Sequence, residues 1–257
     1  MVSDVPVGVF LSGGVDSSLL ASILQSSAVN KINTFTIGFD DPRYDESEPA
    51  KNIASYLGTN HHALTCSLKE ALDIIPKLPD VYDEPFGDTS AIPTYLVSSL
   101  ASDYVKVVLS ADGGDEQYAG YNRYKIFDFL NKVEKIPFTK QALKMANRMG
   151  CFKLMGMLNK DWTHFSHRVN KTQSILSATS LPEKIAVMAS PFQKNEYVTN
   201  PPIVFSSGIN QSGAFPIWDM ASYLPDDILT KVDRATMAVS IEGREPFLDH
   251  KLIEKSF

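Results

Sequence analysis

The stretch Ser12-Gly13-Gly14-Val15-Asp16-Ser17-Ser18 constrains this chain more than any other. The apolar run Val5 to Leu11 leads into it, and Leu19, Leu20 and Ile23 follow at helical spacing. That pattern predicts a buried strand, a tight turn and a helix start. Two adjacent glycines reach backbone angles closed to other residues and let a ligand come close to the main chain. Amides at a helix start point at such a ligand, and the helix dipole favours negative charge there. The turn is therefore an expected phosphate cradle, with hydroxyls from Ser12, Ser17 and Ser18 and a carboxylate from Asp16 able to hold a metal ion. The alternative is a plain strand–turn–helix corner capped by Ser17. A Walker loop would end in lysine; none lies nearby, and no GxGxxG string occurs.

At 257 residues, with 44% hydrophobic and 21% charged, the chain is globular and long enough for one large or two small domains. A net charge of −6 without a basic run argues against nucleic acid as a partner. No apolar stretch approaches the roughly 20 residues that cross a bilayer, and MVSDVPVG lacks the layout of a signal peptide. Cys66 and Cys151 are expected as free thiols in a reducing cytoplasm rather than as a disulfide. The glycine turn comes close to the start, and Lys255-Ser256-Phe257 ends the chain within a helical pattern, so a piece of a longer protein is expected.

Strand and helix then alternate. Ile32–Phe39 has strand composition. Asp45 and Glu48 form a capping-box pattern before the helical set Ala50, Ile53, Ala54 and Leu57, and Gly58 ends that helix. His61–Thr65 reads as a third strand; a metal role for His61 and His62 is disfavoured. Leu68, Leu72 and Ile75 form a helix stripe closed by Pro76 and Pro79. After the acidic loop Asp83–Asp88, a helix over Ile92–Leu100 tolerates Pro93 in its first turn. Val105–Leu109 suits a strand buried on both faces. The expected architecture is a parallel sheet with crossover helices.

From Tyr121 to about Glu196 the pattern is helical: Phe127, Leu130 and Val133, then Leu143, Met149 and Phe152, then Leu154 and Leu158. Met145, Met149, Met155 and Met157 read as core filler, and Trp162 and Trp218 as packing residues. Pro201–Gly213 reads as a surface loop. A last helix begins near Pro225, with Ile228, Val232, Ala235 and Val239 on its buried face and Lys231 and Arg234 on another.

The second informative site is Ser110-Ala111-Asp112-Gly113-Gly114-Asp115-Glu116, delivered directly by the VKVVL strand. In open parallel sheets ligands bind beyond the carboxyl ends of the strands, which places both glycine turns on one edge. The clustered carboxylates would repel if uncompensated. Magnesium favours a few carboxylates plus substrate phosphates, so Asp16 and Asp115 are the expected metal residues. The alternative is an acidic surface turn.

SGGVDSS resembles the PP-loop of the ATP pyrophosphatases. Together with SADGGDEQYAGYNRY and EGREPFLDH downstream, it resembles the synthetase domain of glutamine-hydrolysing asparagine synthetases over nearly the whole chain. The resemblance implies an α/β fold with a Rossmann-like parallel sheet of five strands (adenine nucleotide alpha hydrolase-like) and an added helical region. It would divide as a PP-loop ATP-binding core over 1–120 and a mainly helical continuation over 121–257. It implies ATP and Mg2+, and conversion of aspartate through a β-aspartyl-AMP intermediate that ammonia attacks. Carried over by position, Ser12, Gly13, Gly14, Asp16, Ser17 and Ser18 would hold the pyrophosphate. Phe10 or Leu11 and Ile37 would bracket the adenine by backbone contacts, Ser110 and Ala111 would line the ribose, and Asp115 would bind magnesium. Asp112 stands where many members have glutamate, a residue credited with the ammonia-dependent step. Arg234 and Arg244 are candidates to grip the acceptor carboxylate, since arginine does so bidentately; a structural ion pair is the alternative for Arg244. Lys231 is expected in solvent.

The resemblance further implies aspartate and ammonia as substrates, a glutaminase domain in a longer chain, and a cytoplasmic enzyme; a homodimer stays open. The glutaminase half would need a cysteine after the initiating Met, where Val2 stands, and a family lysine that stabilises the acyl-adenylate would lie beyond Phe257. Two other readings stay open. One is a related synthetase that adenylates a different carboxylate, closing a lactam or amidating a cell-surface precursor. The other is an inactive nucleotide-binding module.

Overall fold

The computed structural model describes residues 3–42, 45–138, 141, 145, 162–190 and 211–256. The chain divides into two units, Met1–Gly114 with Tyr223–Phe257, and Asp115–Ser222.

The first unit holds five strands: β1 (Val7–Phe10), β2 (Asn33–Phe39), β3 (Asn60–Cys66), β4 (Val107–Leu109) and β5 (Glu242–Arg244). Every pairing is parallel, in the order β3-β2-β1-β4-β5. All four expected strands are present in one sheet. The fifth, Glu-Gly-Arg, has no apolar residue to betray it. It is made by its neighbour: Glu242 N–H donates to Lys106 O at 3.0 Å and Ser110 N–H to Arg244 O at 2.9 Å.

Alternation along the strands sends side chains to two covered faces. On one, Val9 and Leu11 pack with Leu20 and Ala21 of α1 (Val15–Ser27) and Ala50 and Ala54 of α2 (Ser47–Leu57). On the other, Phe35 and Val108 pack with Val97 and Ala101 of α5 (Ala91–Ser102) and with Ile241. Pro93 lies in the first turn of α5, as expected. Between them run α3 (Leu68–Ile74), a 3-10 turn (Ile75–Lys77) and α4 (Leu78–Tyr82).

Local expectations fail where tertiary context decides. In α1 the buried residues are Ser17, Leu20 and Ala21, while Leu19 and Ile23 are exposed. Leu68, Leu72 and Ile75 are exposed too, and Ile74 is the buried residue of α3. Pro76 and Pro79 do not stop this helical run; each sits at the start of a further short helix, where a missing N–H costs nothing. Asp45 and Glu48 make no capping box. The Asp45 carboxylate accepts from the N–H groups of Ser47 and Phe39, and Glu46 precedes α2. The capping box is one helix later, between Ser67 and Glu70. Gly58 ends α2 at φ +72°, as expected.

Among its described residues the second unit has helices and no strand: α6 (Gly114–Tyr118, which starts on the last residue of the first unit), α7 (Asn122–Glu134), α8 (Trp162–Ser177), α9 (Leu181–Ala189) and α10 (Gln211–Ala221). Tyr124, Phe127, Ile185, Phe215 and Trp218 form its core, which bears out Trp218 as a packing residue. Gln211–Gly213 open α10 instead of ending a loop; residues 201–210 lie outside the described residues. So do Leu143, Met149, Cys151, Phe152, Leu154, Met155, Met157 and Leu158, and the side chain of Trp162. Met145 is exposed and is not core filler.

The chain returns to the first unit through a π turn (Leu224–Leu229), α11 (Thr230–Met237), β5, a 3-10 turn (Pro246–Leu248) and α12 (His250–Ser256).

Candidate active site

β1 and β4 are adjacent and parallel, so the two glycine turns leave the sheet side by side at its carboxyl edge. In the first turn Gly13 has φ +84°, and a Cβ on it would lie 2.9 Å from Pro49 and 3.1 Å from the Ala50 nitrogen. Only glycine fits where α2 comes this close. Gly14 caps α1 with no side-chain hydrogen bond, so the first-turn amides of Val15, Asp16 and Ser17 have no partner within the helix. The Gly14 amide itself donates to Ser12 Oγ at 3.3 Å.

The three serines are not alike. Ser17 is buried and staples the turn: its Oγ accepts from Ser12 N–H at 3.2 Å, pairs with Ser12 Oγ at 3.0 Å and donates to Gly14 O at 3.3 Å. Ser18 Oγ also donates to Gly14 O, and Ser12 is exposed. Leu11 is buried and its backbone is committed, N–H to Phe35 O and carbonyl to Thr36 Oγ1. Phe10 and Ile37 sit half-buried on the opposite sheet face from Leu11, both against the Phe35 cluster.

The second turn carries the negative charge. Gly113, at φ +89°, packs against the Leu248 side chain of the PFLDH segment, which explains why that distant motif belongs to the same site. A Cβ on Gly114 would lie 2.6 Å from Asp16 Oδ2. The Asp16 carboxylate therefore stands directly against the second turn. Ser110 is buried, Ala111 half-buried, and Ser110 Oγ donates to Asp112 Oδ2. Burial pushes the Asp112 carboxyl above the ordinary carboxylate range, with Ser110 and the Lys231 ammonium pulling the other way. Asp115 opens the second unit, and its carbonyl accepts from Gly120 N–H at 2.9 Å. Beside it Glu116 is buried and bonded to Tyr121.

Lys231 is not in solvent. It is buried, its Nζ 2.7 Å from Asp88 Oδ2 and 2.7 Å from Ser90 Oγ. Burial raises the Asp88 carboxyl, but the bonds from Lys231 and Ser90 outweigh it and hold the group below its usual range. Tyr82 OH donates to Lys231 O at 3.4 Å and its ring stacks on Phe86 at 4.6 Å, tying the acidic loop to α11. The sequence does carry a signal for this: Lys231 lies three residues after Ile228 and four before Ala235, on the buried face. Arg234 is exposed and paired with Asp83 at 2.8 Å. Arg244 pairs with Glu242 at 2.7 Å, the structural alternative. Glu245, which follows it, has no role that the sequence alone suggests. Burial, with Asp112 and Asp233 nearby, pushes its carboxyl up to about 7. His61 bonds Thr34 through Nδ1, and His62 stacks on Phe35.

Among the described residues no cluster of three or more His, Cys, Asp or Glu side chains is placed to hold a metal ion. Magnesium asks for less, one or two carboxylates with substrate phosphates completing its shell. Asp16 fits that demand, with no hydrogen bond or ion pair among the described residues and a carboxylate beside uncapped amides.

The asparagine synthase family model matches residues 1–257. Asparagine synthetase [glutamine-hydrolyzing] 1 of Bacillus subtilis is 33% identical over 252 residues, covering 97% of this chain and 40% of that protein. A Methanocaldococcus jannaschii protein with the provisional name asparagine synthetase [glutamine-hydrolyzing] 2 is 36% identical over 255 residues, covering 92% and 46%. This chain thus spans less than half the length of either relative. A solved NH3-dependent NAD synthetase from Campylobacter jejuni aligns over 69% of this chain and 90% of its own, with 14% identity and a TM-score of 0.34; at that overlap the fold rests on the strand order instead. With SGGVDSS, SADGGDE and EGREPFLDH gathered at one sheet edge and the family model matched from end to end, this chain belongs to the asparagine synthase family.

Proposed function

We propose that the chain is the synthetase part of a glutamine-hydrolysing asparagine synthetase. It makes asparagine from aspartate, ATP and ammonia, through a β-aspartyl-AMP intermediate and with release of AMP and pyrophosphate. The carrying observation is the pairing of unlike turns on neighbouring parallel strands. Uncapped amides and Asp16 stand against a turn whose half-buried acid, Asp112, is held by Ser110. An anionic substrate is received by the first turn, and charge that develops during transfer is handled by the second.

In this reading the amides of Gly13 to Ser17 bind the phosphates of ATP, as helix starts do. Phe10 and Ile37 lie toward the adenine, and Ser110 and Ala111 toward the ribose. Ser17 fixes the loop from within. Asp16 would hold magnesium, and Asp115 is kept in the same role on the strength of its motif. The ion would supply neutralisation of phosphate charge. Arg234 would exchange Asp83 for the acceptor carboxylate. Asp112 serves the ammonia-dependent step. The ammonia comes from a glutaminase domain, and the enzyme works in the cytoplasm. No described helix is long and apolar enough to cross a membrane.

The test is pyrophosphate release by the complete gene product with ATP, magnesium and a panel of amino acids, with ammonium added. Release that depends on aspartate is expected. Release driven by another carboxylate would favour the lactam-forming or cell-surface reading, and none with any acceptor would leave a nucleotide-binding module.

A further inference from the structure

The end of β5 carries a carboxylate that the proposed function leaves unused. β4 and β5 pair in register, Leu109 opposite Arg244, and Ser110 N–H closes the ladder on Arg244 O. Glu245 therefore leaves β5 level with Ser110, whose hydroxyl holds Asp112. Its backbone is pinned as well, since Leu248 N–H donates to Glu245 O at 2.9 Å and Leu248 packs on Gly113. Two acids of different length thus emerge from neighbouring strands at the sheet edge where ligands bind. Asp112 is short and bonded to Ser110. Glu245 is one methylene longer and half-buried, and among the described residues its carboxylate is bonded to no other side chain.

We propose that Glu245 is a further catalytic residue, the base that takes the proton from the attacking nitrogen, with Asp112 as the carboxyl held by Ser110 on the neighbouring strand. The proposal rests on the asparagine-forming reading. In the step, the ammonia nitrogen forms a bond to the acyl carbon of β-aspartyl-AMP. The acyl carbon–oxygen bond to the phosphate breaks, and its electron pair leaves with AMP. One proton of the positively charged nitrogen passes to the Glu245 carboxylate and then to solvent. The shortness of Asp112 is thereby made good from the next strand.

The electrostatics agree. Neighbouring carboxylates resist joint ionisation, so one retains a proton toward neutral pH. The charged groups around Glu245 are Asp112 from the β4 turn, Asp233 from α11, and the Glu242–Arg244 pair on its own strand; Lys231 from α11 acts on Asp112. Burial first, then Asp112 and Asp233, push Glu245 to about 7. A base poised near the working pH is the efficient one.

The experiment compares wild type, Glu245→Gln and Glu245→Asp as complete gene products, with two readouts. Aspartate-dependent ATP–pyrophosphate exchange reports adenylation, and asparagine formation at saturating ammonium reports the second step. Glu245→Gln should keep exchange within about twofold and lose about 10²–10⁴-fold in asparagine formation. It should also lose the rise of wild-type kcat with pH through about 7, and Glu245→Asp should recover part of the rate. Unchanged asparagine formation in Glu245→Gln would overturn the role while leaving the asparagine-forming reading intact. Equal loss of both readouts would also overturn it and make Glu245 a structural residue. Absence of aspartate-dependent exchange in wild type would instead count against the underlying reading.

Discussion

The two glycine turns use one backbone device for opposite electrostatic ends. Each follows a parallel strand, each needs a positive φ at its first glycine, and each leads into a helix. Leu11–Ser18 is neutral but for Asp16; its hydroxyls bond inward and its helix amides stay uncapped. Ser110–Glu116 concentrates carboxylates, with Asp112 half-buried and Glu116 buried, and desolvation pushes both upward. A turn that exposes amides attracts anions, and one that buries acids holds protons. Set side by side, they suit a reaction that first brings in a phosphate chain and then moves a proton.

The sharpest way to separate the turns is to remove one charge. Asp112→Asn should leave aspartate-dependent exchange largely intact while asparagine formation falls about 10²–10³-fold through lost electrostatic support. Loss of exchange to the same degree would merge the turns into one functional unit. Next in size is Lys231→Met, which strands Asp88 without its partner. Removing one member of a buried ion pair costs about 3 kcal/mol, readable as a fall in the denaturant midpoint; an unchanged midpoint would show the pair to be dispensable. Ser17→Ala tests the first turn from inside. Loss of a buried hydroxyl that joins Ser12 to Gly14 should cost about 1–2 kcal/mol, seen in weaker ATP binding and a lower melting temperature. The smallest effect belongs to Arg244→Ala. Its partner Glu242 is exposed like itself, and exposed pairs contribute little, so the melting temperature should not move.

Much of this architecture is legible in the amino-acid order itself. The Val5–Leu11 and Val105–Leu109 runs announce buried strands because strands covered on both faces of a parallel sheet read as near-continuous apolar runs. Each run is followed at once by its glycine turn. β5 is illegible for the converse reason: Glu-Gly-Arg becomes a strand only because β4 offers it a free edge. The stripe Leu68, Leu72 and Ile75 misleads because periodicity gives a face but not what lies against it. The charge of Lys231 points to solvent although its spacing puts it on the buried side, and Asp88, which neutralises it, lies far away in sequence. Glu245 is invisible for the same reason, since its neighbours Asp112 and Asp233 are assembled from separate segments.

The central claim is that the first turn presents the α-phosphate of ATP to a carboxylate from the acceptor. It is tested most directly by giving the complete gene product aspartate labelled with 18O in its β-carboxylate, together with ATP, magnesium and ammonium, and following the products by 31P NMR and mass spectrometry. The account predicts AMP and pyrophosphate, with one labelled oxygen carried into the AMP phosphate and the other retained in asparagine. Unlabelled AMP, or ADP with labelled inorganic phosphate, would contradict it.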